Sequence, residues 1–167
     1  MKRFESNRQV VVVDNFQDLV GHYFSGENNA VCWQRNLTAN FEELVSKLTL
    51  DDDITEVSMD HLLSLSLSES GNNAREVVIN DFKLLKDFGA LPSLNLLKCY
   101  ERDTEFDFIS TDVYSYHVDR SPLATDTFLC TYFGAASDII ANKDSVQKIK
   151  IPEIRQQLQE LYDGPEA

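Results

Sequence analysis

Tyr114-Ser115-Tyr116-His117-Val118-Asp119, with the apolar run Thr127-Phe128-Leu129-Cys130-Thr131-Tyr132-Phe133 behind it, is the most informative part of this chain. On an extended strand, side chains two apart share a face. The His117 imidazole and the Asp119 carboxylate can therefore grip one metal ion from such a strand. That spacing supplies two protein ligands of a 2-His-1-carboxylate site for non-haem Fe(II). The third ligand would be a later histidine, and none follows His117. The spacing thus points to an oxygenase-like barrel with an incomplete site. The competing reading is a His117–Asp119 hydrogen-bonded pair that orients loops at a strand end.

Working outward, the C-terminal half reads as β. Ser93 to Glu101, Phe106 to His117, Thr127 to Phe133 and Asp138 to Ala141 are expected strands. A helix over 151–162 closes the chain, with Ile151, Ile154, Leu158 and Leu161 at helical spacing and Pro152 in its first turn. The N-terminal half, 1–92, alternates strands and helices. Gln9 to Val13, Ala30 to Gln34 and Ile54 to Met59 read as strands. Helices are expected from Asn15 to Tyr23 with Asp14 as N-cap, and from Asn40 to Leu48 with Thr38 as cap. Leu63, Leu65 and Leu67 alternate with serines, and 61–68 fits neither period cleanly. A loop at Ser70 to Asn73 precedes a helix from Ala74 to Phe88. Val77, Val78, Asp81, Leu84, Leu85 and Phe88 form one face of that helix, and Gly89 is its C-terminal stop. No repeat or long linker divides the chain, so 1–167 is expected to be a single domain.

Composition narrows the function classes. A chain of 167 residues with 43% apolar and 26% charged residues suits a globular domain. A net charge of −13 with scattered Lys and Arg opposes nucleic-acid binding, which needs clustered cations. No stretch approaches the roughly 18 apolar residues of a membrane helix. The basic start, Met1 to Arg8, lacks a signal-peptide h-region behind it, so the chain reads as cytoplasmic. Cys32, Cys99 and Cys130 lie in apolar segments without C-x-x-C spacing and are expected as buried free thiols. His22 and His61 are expected to make local contacts rather than bind metal. Trp33 and the Tyr114–Tyr116 face read as core. No G-x-S-x-G, H-E-x-x-H or phosphate-cradling loop occurs.

Two segments carry a resemblance. Asn29-Ala30-Val31-Cys32-Trp33-Gln34-Arg35-Asn36-Leu37 is similar to the N-x-A-V-W-x-R-x-L segment of the bacterial domain-of-unknown-function family 1826. His117-Val118-Asp119 with Leu129-Cys130-Thr131-Tyr132-Phe133-Gly134 resembles that family's F-H-V-D and L-L-C-T-Y-R-G core. The likeness spans about Val10 to Ala141, most of the chain. The H-x-D also resembles the Fe(II)/2-oxoglutarate dioxygenases. That resemblance implies a double-stranded β-helix, metal ligation by His117 and Asp119, a later His ligand and a later Arg or Lys for the co-substrate carboxylate. Here Phe133 stands where the family has Arg, and only Lys143, Lys148, Lys150 and Arg155 follow as cations. The chain is then a shortened relative, one piece of a longer product, or a site completed in trans.

The expectation is an α+β domain with a cupin-like or partial double-stranded β-helix core and flanking helices. It would be a metal-binding, oxygenase-like protein holding Fe(II) or another divalent ion at His117 and Asp119, with 2-oxoglutarate as the co-substrate the resemblance implies. The alternative is a non-catalytic acidic protein that binds a protein partner.

Overall fold

The computed structural model describes residues 6–119 and 122–162. Arg120 and Ser121 lie outside the described residues, as do Met1 to Glu5 of the basic start. The protein is mixed α+β, with five α-helices and four short strands in two small sheets among the described residues. It divides into two compact units, Met1–Lys98 with Leu129–Ala136, and Cys99–Phe128 with Ser137–Ala167.

The first unit opens with a β-α-β crossover. β1 (Val10–Val13) and β2 (Ala30–Trp33) pair in parallel, with Val10 opposite Ala30 and Val13 opposite Trp33. Between them α1 (Phe16–Val20) is capped by Asn15, whose side chain accepts from the Asp18 N–H. The cap is thus Asn15 and not Asp14. α2 (Phe41–Ser46) is likewise capped by Asn40, which accepts from the Glu43 N–H, and not by Thr38. The second sheet pairs β3 (Ile54–Glu56) antiparallel with β4 (Asn95–Leu97). β3 stops short of Met59 because Ser58 turns the chain into α3 (Met59–Ser64), its side chain accepting from the His61 N–H.

α4 (Glu69–Phe88) is the longest element, at 20 residues. It starts before Ala74, and the expected loop at Ser70 to Asn73 is its first turn. The cause is a tertiary cap. Ser68 accepts from the Gly71 N–H, and Glu43 on α2 accepts from both the Ser68 N–H (2.7 Å) and the Ser68 hydroxyl (2.5 Å). A side chain at Gly71 would meet the Glu43 carboxylate at 2.6 Å, so the glycine gives that carboxylate its place. The helix ends as expected at Gly89, which takes the left-handed conformation at φ 100. Its N–H donates to the Lys86 carbonyl and the Ala90 N–H to the Leu85 carbonyl, the two bonds of a Schellman end.

The core lies in this unit. Phe41 and Leu44 of α2, Val57, Leu62 of α3, and Ala74 and Val78 of α4 form one buried cluster. Gly71, Ala74, Val78 and Asp81 are the buried positions of α4, spaced by three or four residues, so Asp81 continues the apolar stripe.

The strand-rich half expected over 93–141 is not formed. β4 is its only strand among the described residues. Over 106–117 the reason is visible: the Asp112 carboxylate accepts from the N–H groups of Asp103 and Tyr114, claiming donors a ladder would use. Leu129–Ala136 is held to the first unit by side chains rather than by a ladder. The second unit carries α5 (Pro152–Leu161), with Pro152 in its first turn as expected. No helix among the described residues is long and apolar enough to cross a membrane.

Leu62 is 2% exposed and is the largest fully buried side chain. Leu62→Ala is expected to lower stability by about 3 kcal/mol. Urea denaturation followed by far-UV circular dichroism checks this; a loss below about 1 kcal/mol would mean the core is not packed here.

Candidate functional site

His117 belongs to the second unit, just after a turn at 112–115. Asp112 builds that turn. Its carboxylate accepts from the Tyr114 N–H at 3.0 Å, the Ser110 hydroxyl at 3.3 Å and the Asp103 N–H at 3.3 Å. Arg102 lies 3.9 Å from the same carboxylate, and its guanidinium stacks on the Tyr114 ring at 3.5 Å. Burial pushes the Asp112 carboxyl up, but the Asp103 and Tyr114 N–H groups, the Ser110 hydroxyl and Arg102 together hold it below its ordinary value. The Asp112 carbonyl accepts from the Ser115 N–H at 3.3 Å and from the Ser115 hydroxyl at 2.9 Å. The Tyr114 hydroxyl accepts from the Tyr100 N–H and donates to the Tyr100 carbonyl. Tyr114 therefore ties the loop together through its hydroxyl, while Tyr116 is 62% exposed and not core.

The Ser115 carbonyl sits 2.6 Å from His117 Nδ1. A carbonyl only accepts, so Nδ1 carries the proton. In a neutral ring this leaves a lone pair on Nε2, which faces Asp119 Oδ1 at 3.4 Å. Two lone-pair atoms at that spacing suit adjacent ligands on one ion, given metal bonds of about 2.0–2.2 Å. The same spacing makes an ion pair when the imidazole is protonated. His117 and Asp119 are thus brought together as their spacing predicts, but from an irregular loop rather than a strand. Both side chains are open to solvent, at 43% and 69%. No group of three His, Cys, Asp or Glu side chains is placed to hold a metal among the described residues. His22 Nε2 meets the Asn28 side-chain oxygen at 2.5 Å, and His61 lies in α3, its N–H taken by Ser58.

A second cluster, inside the first unit, was not legible as a site from any one motif. Arg35 forms a two-pronged pair with Asp81 on α4, Nη1 to Oδ1 at 2.7 Å and Nη2 to Oδ2 at 2.5 Å. The Tyr132 hydroxyl donates to Asp81 Oδ2 at 2.9 Å, and its ring stacks on Phe41 at 5.6 Å. Arg35 also lies over the Trp33 ring at 4.2 Å and reaches the Cys130 sulfur at 3.9 Å. Burial, followed by the neighbouring Cys130 and Asp81, pushes the Tyr132 phenol far above its ordinary value. The hydrogen bond to Asp81 holds the Arg35 guanidinium above its own. Cys130 is exposed as a residue, contrary to expectation, although the atoms packed around its sulfur still push the thiol up by desolvation. Cys32 and Cys99 are partly exposed. The sequence signal for this cluster was Asp81 on an otherwise apolar helix face. Chemically it is a closed ion pair: both terminal nitrogens of Arg35 and both oxygens of Asp81 have a partner, and it offers a ligand little.

The chain matches no protein-family model, no curated protein and no solved structure.

Tyr132→Phe is expected to cost about 2 kcal/mol at neutral pH, as for a hydrogen bond to a charged group. A folded-state pKa raised above the unfolded value of about 10 gives stability that is present below that value and lost as pH rises past it. The wild type should therefore lose stability more steeply than Tyr132→Phe between about pH 9 and 11. Chemical denaturation of both proteins across that range reads the difference; parallel pH profiles would contradict it.

Proposed function

We propose that this chain is a divalent-metal-binding protein, with His117 Nε2 and Asp119 Oδ1 as its protein ligands. The observation that carries the reading is the direction of the two lone pairs. The Ser115 carbonyl occupies Nδ1, so Nε2 faces the carboxylate across 3.4 Å. An imidazole nitrogen and a carboxylate oxygen suit Fe(II), Mn(II) or Zn(II). The exposure of both groups leaves the remaining coordination positions to water or to an outside ligand.

The oxygenase-like form of the reading is finer and rests on the H-x-D resemblance alone. It requires a cupin-like or partial double-stranded β-helix core, a third protein ligand and a cation for 2-oxoglutarate. The likeness to domain-of-unknown-function family 1826 has the same standing. Two segments of family-like sequence, around Arg35 and around Cys130 to Tyr132, meet at Asp81, which is what related packing would need.

A second reading, an acidic protein that binds a protein partner, is favoured by one observation. The second unit has no buried residue among those described, while Val118, Leu123 and Val146 are 84%, 72% and 73% exposed. Contiguous apolar surface is covered in many proteins by a partner, and this reading requires such side chains to share one patch.

Elemental analysis of protein purified without chelator, beside His117→Ala, separates the two. Metal near one equivalent in the wild type and lost in the variant is the expected result. No metal in either protein, with the variant folded, would sink the metal reading and leave the partner-binding one.

A further inference from the structure

We infer that Asp112 is a positioning residue for His117: it shapes the turn whose Ser115 carbonyl fixes the imidazole tautomer and so aims Nε2 at Asp119. The bearing of this on metal affinity rests on the metal-binding reading above; the tautomer itself does not.

One continuous set of contacts links Asp112 to His117, all within Cys99–Phe128 of the second unit. The Asp112 side chain is only 7% exposed, whereas that of Asp119 is 69% exposed. A carboxylate loses hydration on burial and keeps its charge only if hydrogen bonds replace it. Here they come from three separate points of the chain: Asp103, Ser110 and Tyr114. Arg102 adds its charge and covers the Tyr114 ring. Asp112 is thereby the hub of a loop that has no ladder to shape it. Its own carbonyl takes both the N–H and the hydroxyl of Ser115, which orients the next peptide. The Ser115 carbonyl then meets His117 Nδ1 at 2.6 Å.

An imidazole free in water divides its proton between the two nitrogens, and a fixed acceptor at one nitrogen removes that freedom. Outer partners of this kind commonly change metal affinity by about 10–100-fold when lost. Asp112 makes no contact with the metal position itself. It acts through the turn that carries Ser115, so truncating it should loosen that turn and release the imidazole tautomer with it.

The test is nitrogen-15 NMR of the histidine rings in metal-free, full-length protein at about pH 8, for wild type, Asp112→Ala and Asp112→Asn. Zinc affinity is measured on the same samples. Wild-type His117 should show the Nδ1–H form. Asp112→Ala should shift toward the Nε2–H form and bind zinc about 10–100-fold more weakly. Asp112→Asn keeps an oxygen for the Tyr114 N–H and should retain most of the wild-type tautomer. The signals of His22 and His61 should not move, which reports that the first unit is intact. If Asp112→Ala loses the second unit's fold, Ser115→Pro, which removes the N–H held by the Asp112 carbonyl, carries the comparison and should show the tautomer shift. A wild-type ring in the Nε2–H form, or a tautomer indifferent to these substitutions, would overturn the inference even if zinc binds. A tautomer shift without zinc binding in any sample would uphold the positioning role and sink the metal reading instead.

Discussion

A carboxylate on the apolar face of a helix must be paired before that helix can pack, and Asp81 on α4 is such a carboxylate. Arg35 answers it with both terminal nitrogens, at 2.7 and 2.5 Å. Removing either partner would leave a charge stranded in a largely dry site, which is far costlier than never having built the pair. The geometry then recruits the rest. Trp33, at the end of β2, lies under the guanidinium, so the parallel sheet is tied to the helix. Tyr132 gives its hydroxyl to the same carboxylate and its ring to Phe41, so Leu129–Ala136 returns to the unit that the chain had left at Lys98. Residues 35, 81 and 132 are far apart in sequence, and one charge pair sets where all three meet.

The second unit follows a different rule. It has no sheet among its described residues, and α5 is its only α-helix there. Its organisation comes from polar side chains that satisfy backbone groups directly, with Asp112 receiving three hydrogen bonds and Tyr114 bridging to Tyr100 in both directions. Such a scaffold buries little apolar surface and leaves Tyr116 and Val118 facing water on either side of His117. Openness of this kind suits a site that exchanges ligands with solvent, and it makes the loop's shape depend on a few hydrogen bonds.

What the sequence discloses follows from the range of the interactions involved. β1, β2, α5 and the Gly89 stop are set by local pattern and were readable as such. The start of α4 was not, because its cap is completed by Glu43 from 25 residues earlier. The four strands expected after Pro92 reduce to β4; over 106–117, alternation alone does not reveal that Asp112 will take the Tyr114 N–H. The His117–Asp119 pair was visible from its spacing, although the backbone that presents it is a loop. Asp81 was visible only as a charged residue on an apolar face, and its partners Arg35 and Tyr132 could be named only with the fold in hand.

We propose His117 and Asp119, and not the Arg35–Asp81 pair, as the metal position. Backbone and side-chain NMR spectra recorded through a zinc titration address it most directly. The largest changes are expected on His117 and Asp119 and then on Asp112 to Ser115, while the signals of Arg35, Asp81 and Tyr132 stay where they are. Changes centred on Cys130 and its neighbours, or a titration that moves no signal, would contradict it.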